Sequence, residues 1–186
     1  NYTLTSVTGI VDLEHYELDD YSYGAGVYGG LHHNRYESTS QELRLNSDLD
    51  GALNFQLGLY WQDIEQRFDA HQYAFNLGLI AGPDPFTGNA YDYNKDHYLD
   101  TEVFSAFLAV YWDITENTEL TVGARYTDED KEGQILIPYL HAGAAAFGFG
   151  APPVIDGLEF DDTNTSPEIA INHHLNDNVS LYVSYK

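Results

Sequence analysis

Residues 119–127 alternate without exception: Leu120, Val122, Ala124 and Tyr126 are apolar, whereas Glu119, Thr121, Gly123, Arg125 and Thr127 are not. A side-chain period of two belongs to β-strands and excludes an amphipathic helix. Leu53, Phe55, Leu57, Leu59 and Trp61 alternate in the same way with Asn54, Gln56, Gly58, Tyr60 and Gln62. Val179, Leu181, Val183 and Tyr185 repeat the pattern, as do the shorter pairs Leu43/Leu45 and Ile169/Ile171. Residues 2–13 read as a weaker strand, and 102–112 is apolar on both faces, so period alone does not orient it. The expectation is seven strands and an all-β chain.

The connections alternate in length. Short ones fall at about 47–51, 115–118 and 176–178, with Ser, Asp, Asn, Thr and Gly in turn positions. Long ones are expected at about 14–36, 68–99 and 132–163, where most Gly and Pro and much of the acid and aromatic content lie. This is an up-and-down antiparallel meander with short turns at one end and long loops at the other. Soluble sandwiches and lipocalin-like barrels also alternate. Short turns, long outer loops and interfacial aromatics together point to a large transmembrane β-barrel. Leu53 to Trp61 covers about 26 Å along the strand, or roughly 20 Å of bilayer once tilted. Trp112 lies beside a short turn, and Trp61 and Tyr126 lie toward long loops, the heights that amphipathic rings prefer. Seven strands do not close a bacterial barrel, whose strand count is even. Residues 1–186 are therefore expected to be a single segment of a β-barrel domain whose other strands lie elsewhere.

Composition narrows function by exclusion. Seven Lys plus Arg against 30 Asp plus Glu leave a formal charge of −23, which opposes a nucleic-acid partner. No cysteine means no disulfide framework, thiolate metal site or Cys nucleophile. Hydrophobic content of 43% and aromatic content of 15% set the chain apart from disordered acidic tails.

The strand sequences resemble those of TonB-dependent outer-membrane receptors. The resemblance lies in Ser40-Gln41-Glu42-Leu43-Arg44-Leu45-Asn46-Ser47 with Gly51 and Gln56-Leu57-Gly58-Leu59-Tyr60-Trp61. It continues in Leu120-Thr121-Val122-Gly123-Ala124-Arg125-Tyr126-Thr127, and in Ser166-Pro167-Glu168 with Leu181-Tyr182-Val183-Ser184-Tyr185-Lys186. It implies a barrel of about 22 strands filled by an N-terminal plug. It further implies active import of a scarce, bulky nutrient, such as a siderophore chelate or a glycan, across the outer membrane of a Gram-negative bacterium. The partners implied are outer-membrane lipid, the plug, the remaining strands, the TonB complex, and a small-molecule or oligosaccharide substrate. A secreted or surface β-domain that binds glycans or mediates adhesion is the rival reading, and a passive porin is a third.

In that frame Leu53, Phe55, Leu57, Leu59, Trp61, Leu120, Val122, Ala124 and Tyr126 face lipid. Glu42, Arg44, Gln56, Arg125 and Glu168 face the lumen. Outer-loop aromatics are the substrate-binding candidates, chiefly Tyr73, Tyr91, Tyr93, Tyr98, Tyr139, Phe147 and Phe149, because rings supply stacking area at low entropy cost. The high acid content favours a neutral or cationic cargo, or a salty habitat that screens the charge.

Other motifs fail on geometry. Asp92, Asn94, Asp96, Asp100 and Glu102 mimic a calcium loop, but His97 replaces its glycine and Val103 its bidentate glutamate. Adjacent histidines at 32–33 and 173–174 point to opposite strand faces and cannot converge on one ion. Residues 143–150 lack the lysine of a phosphate loop, and no carboxylate pair is singled out for catalysis. No metal ligand, cofactor or catalytic residue is assigned.

Overall fold

The computed structural model describes residues 1–24, 29–73, 83–146 and 154–186. Seven strands form a single antiparallel sheet in sequence order: β1 (Tyr2–Asp20), β2 (Gly29–Ser47), β3 (Leu53–Tyr73), β4 (Tyr93–Thr115), β5 (Thr118–Leu140), β6 (Ile155–Asn176) and β7 (Val179–Tyr185). One short helix, α1 (Ala142–Ala146), follows β5. The meander read from the periodicity is the observed topology.

The short turns form where expected and carry their own hydrogen bonds. Ser47 Oγ and the Leu49 amide both donate to Asn54 Oδ1, at 2.9 and 2.8 Å, and the Phe55 amide donates to Ser47 Oγ at 2.7 Å. At the β6–β7 turn the Asn178 amide donates to Asn176 Oδ1 at 3.0 Å. Side chains thus satisfy the backbone groups that a tight reversal leaves unpaired.

The strands run further than the alternation. The β1–β2 ladder continues to Asp20↔Gly29, well inside the expected loop 14–36, and β1 is followed by a turn at 21–24 with Tyr23 and Gly24 at positive φ. Likewise β3 and β4 occupy both ends of the expected loop 68–99, and β5 and β6 both ends of 132–163. Beyond about ten residues a strand has already crossed a bilayer. Strands of 19–23 residues run well past that length, and in their extensions the apolar–polar alternation is absent.

Register sorts the side chains into two unlike faces. Leu57 pairs with Leu45 and Leu108, and Leu108 with Ala124; Trp61 pairs with Phe104, and Leu53 with Trp112. All of these stand on one face. It is exposed across its width, with Leu57, Leu108, Val122 and Ile169 each about 46–47% accessible. On the opposite face Ser105 is fully buried, and Ser38, Thr101 and Ala170 nearly so, although no second layer covers them among the described residues. Crowding on one side of a single layer and splaying on the other is what a sheet curved toward its polar face produces.

Strand β4 is oriented by a single steric fit. Phe107 points to the crowded face because Gly58, its cross-strand partner, has no side chain. A Cβ built on Gly58 would lie 2.0 Å from Phe107 Cζ. Gly58→Ala is expected to destabilise the folded protein by about 1–3 kcal/mol through overpacking, with Phe107→Leu in the same chain recovering most of the loss. Denaturant midpoints of the single and double variants in detergent check this; additive losses would refute it.

Candidate functional site

Three features of the sheet bear on function: the inner wall, a row of rings near its outer end, and a platform that ties the outer connections together.

On the inner wall, Arg125 donates from Nη2 to Ser105 Oγ at 3.0 Å, and Ser105 Oγ lies 3.0 Å from Thr127 Oγ1. The guanidinium also sits over the rings of Tyr60 and Phe107, 5.6 and 5.8 Å from their centroids. A planar cation held by stacking and by a buried hydroxyl has few rotamers left. The five polar residues expected to share a face do so: Glu42, Arg44, Gln56, Arg125 and Glu168 all belong to the crowded side. Gln56, Arg125 and Glu168 line one open cavity of about 520 Å³ with Tyr182 and Lys186. Glu42 and Arg44 form an ion pair of their own on β2.

The nine residues expected on the apolar face likewise share it. Trp61 marks its upper edge, where indole Nε1 donates to Glu102 Oε1 at 2.9 Å. Beyond Trp61, Phe104 and Tyr126 the same face turns acidic: Asp63, Glu65, Asp100, Glu102, Asp130 and Asp161 succeed one another across the ladders. Arg35 and Arg67 are the cations on this face, paired with Glu14 and Glu65 at 3.2 Å each. Arg44, Lys95, Arg125, Lys131 and Lys186 stand on the inner side, with Lys131 at 2.9 Å from Glu129 and Lys186 at 3.0 Å from Glu168. The charge of −23 is thus segregated by face, which composition does not reveal. The inner wall carries the smaller share of the surplus, its five cations standing against Glu17, Asp19, Glu42, Asp113, Glu119, Glu129, Asp162 and Glu168.

The loop aromatics divide. Tyr91 stacks on His71 at 4.5 Å with rings 6° apart and meets the edge of Tyr139 at 5.0 Å. Register places His71, Asn94 and Tyr139 on the side continuous with the apolar face, not on the inner wall. Tyr98 is there too, under the Arg67 guanidinium at 4.6 Å. Tyr73, Tyr93, Tyr98 and Tyr139 are strand residues rather than loop residues, because the ladders continue through them. Asp96, Asp100 and Glu102 are also within β4, which removes the loop that a calcium site of that spacing requires. Phe147 and Phe149 lie outside the described residues.

A row of rings that sequence reasoning missed lies on the inner side: Tyr21–His32 at 5.8 Å, His32–Phe68 at 5.1 Å and Phe68–His97 at 5.3 Å. Phe68 and His97 are cross-strand partners, and His32, the partner of Ala70, stands diagonally beside Phe68. Only the register of β2, β3 and β4 could have found it, because the residues are far apart in sequence.

The platform is centred on Asp84, which is 4% accessible. Its Oδ1 accepts from the Phe86 and Thr87 amides at 2.7 and 3.1 Å. Its Oδ2 accepts from Tyr139 Oη and the Ala142 amide, both at 3.0 Å. One carboxylate therefore ties the β3–β4 connection to the end of β5 and the start of α1. Asp84-Pro85-Phe86-Thr87-Gly88 is a turn sequence in which an Asp side chain caps the amides after it. The Asp92 and His141 amides extend the tie, donating to the Gln72 and Asp92 carbonyls at 2.6 and 2.7 Å.

A family model described as TonB dependent receptor-like, beta-barrel matches residues 1–186. The chain belongs to the TonB-dependent receptor β-barrel family. Among solved structures it is similar to the ferric yersiniabactin uptake receptor FyuA from Yersinia pestis, with 14% identity and a TM-score of 0.74. That match covers 98% of this chain and 25% of FyuA. It is also similar to the ferric citrate transporter FecA in its unliganded form, at 14% identity and a TM-score of 0.50, over 98% of this chain and 24% of FecA. The chain thus spans about a quarter of each receptor. A comparison with curated protein sequences gives no match. At this identity the two structures show the fold alone, and in this family such a fold is the barrel of a transport receptor.

Backbone amides hold the Asp84 carboxyl well below its usual range, down to about 2, with the Ala142 amide the largest contribution. A depressed carboxyl stabilises the fold above its unfolded value near 3.8, and that stabilisation is lost as pH falls through the folded value. Protection of the Phe86, Thr87 and Ala142 amides, relative to their intrinsic exchange at each pH, should therefore hold from pH 7 to pH 4 and fall as pH approaches 2. In Asp84→Ala the same amides should exchange fast at every pH; unchanged protection there would rule out the clamp.

Proposed function

We propose that this chain supplies part of the wall and outer mouth of a TonB-dependent receptor in the outer membrane of a Gram-negative bacterium. The receptor imports a scarce, bulky nutrient. The observation that carries this reading is the single-layer sheet with one exposed apolar face, edged by Trp61, Phe104 and Tyr126 at one height and Trp112 at the other. Such a face suits hydrocarbon, and the crowded polar face opposite suits a filled lumen. A secreted sandwich would bury the same side chains under a second sheet.

The wall contacts lipid through the nine apolar positions named above, and its own plug through Gln56, Arg125 and Glu168. Energy reaches the receptor from the TonB complex acting on the plug. FyuA and FecA are named for ferric yersiniabactin and ferric citrate, and a metal chelate of that kind is the cargo class favoured here. The inner rings His32, Phe68 and His97 offer it stacking area, and the inward cations tolerate its negative charge. Tyr91 and Tyr139 are better read as packing for the platform, since Asp84 and His71 already engage them.

In the full-length receptor, Val122→Arg places a charge at mid-band on the lipid side and is expected to destabilise it by about 2–4 kcal/mol. Thr121→Arg, one residue away on the inner side, should be tolerated. Urea titrations in phospholipid vesicles separate the two, and equal effects would refute the lipid assignment. Uptake of ferric chelate by whole cells should cease in a strain lacking TonB; unchanged uptake there would leave a passive pore.

A further inference from the structure

We infer that the outer end of the β1–β2 hairpin carries a site for a divalent transition-metal ion of the zinc class, formed by Glu17, Asp19 and His32 on the inner side of the wall. One ligand atom from each of the three lies within 4.8 Å of the others. Strand geometry explains the convergence. Residues 15, 17 and 19 share one face of β1, and Glu17 pairs in register with His32 on β2. The sequence therefore reads His-x-Glu-x-Asp on one strand opposite a histidine on the next, a pattern visible only once the hairpin register is known.

The donor chemistry fits. Imidazole nitrogen with two carboxylate oxygens is a common set for zinc and its neighbours, and three protein ligands leave an open position. His32 Nδ1 lies 3.3 Å from Asp19 Oδ2. Two donors on a tetrahedral zinc stand about 3.3 Å apart, given bonds near 2.0–2.1 Å. Glu17 is exposed and needs only a side-chain rotation to complete the set. His15 Nε2, at 3.8 Å from Glu17 Oε2, stands beside it as a further donor.

The surroundings of His32 are those of a positioned ligand. The ring is 8% accessible, and its Nε2 meets the Tyr21 hydroxyl. An imidazole bound through Nδ1 carries its proton on Nε2, and the Tyr21 oxygen is placed to accept it. Gly30 leaves the room for this: a Cβ there would come within 2.9 Å of His32 Nε2 and 3.0 Å of the Tyr21 oxygen. His33, the neighbour in sequence, faces the other way and stacks on Tyr16 at 4.2 Å, so it takes no part. Metal entry at Nδ1 moves the proton of the neutral ring to Nε2, with no net release, and from the charged ring sends the Nδ1 proton to solvent. The site joins two strands near the mouth and uses the Nδ1 edge of the ring whose face the proposed function offers to cargo.

The test uses the full-length receptor in detergent, purified without a histidine tag, with Zn²⁺ alone followed by calorimetry and Co²⁺ followed by its visible absorption. The expected result is a Zn²⁺ affinity that falls roughly tenfold or more in each of Glu17→Gln, Asp19→Asn and His32→Gln and is unchanged in His33→Gln. The Co²⁺ band should vanish with His32→Gln. Heat-modifiable migration on gels reports whether each variant is folded. If His32→Gln does not fold, the exposed Glu17→Gln and the partly exposed Asp19→Asn decide. Binding by both that equals the unaltered receptor, or no Zn²⁺ binding by the unaltered receptor, overturns the site.

Discussion

Six antiparallel ladders, whose register holds through the apolar band and shifts only toward strand ends, are what the rest of the molecule depends on. With no second layer beneath it among the described residues, the sheet obtains its cohesion from paired backbone groups, and in hydrocarbon those groups have no other partner. The same register decides which medium each side chain meets. A slip of one residue would turn Leu57 and Val122 toward the crowded polar face and Arg125 toward the exposed apolar one, exchanging the two faces entirely. The apolar face therefore specifies the ladder as firmly as the hydrogen bonds do.

The inner face adds a different kind of order. Phe107 over Gly58, and Arg125 between Ser105, Tyr60 and Phe107, make a locked wall out of a single layer. Five of the seven cations stand on this side, so most of the surplus acid is carried on the opposite face above the aromatic edge. Net charge is a sum over both faces, and a substrate inside the barrel meets only one of them.

Much of the architecture was legible before any coordinates. Leu53–Trp61 and Leu120–Tyr126 alternate because one side needs apolar groups and the other does not. Ser47, Asn54, Thr115 and Asn176 announce the short turns through side chains that bond to their own backbone. What was misread lies beyond the band. Residues 14–20, 29–36 and 93–99 are strand, yet no apolar–polar alternation marks them. Tyr98 and Tyr139 looked like loop aromatics for the same reason.

Taken alone, the order of residues determined the strand class, the meander, the two faces and the family resemblance, because each of these is written in periods of two and in local turn chemistry. Only the tertiary structure brought His32 to Glu17 and Asp19, lined up His32, Phe68 and His97, and tied Asp84 to Tyr139 and Ala142. Those groupings join residues separated by 13 to 58 positions. Their proximity follows from hairpin register, strand length and the path of the connections, none of which a local pattern encodes.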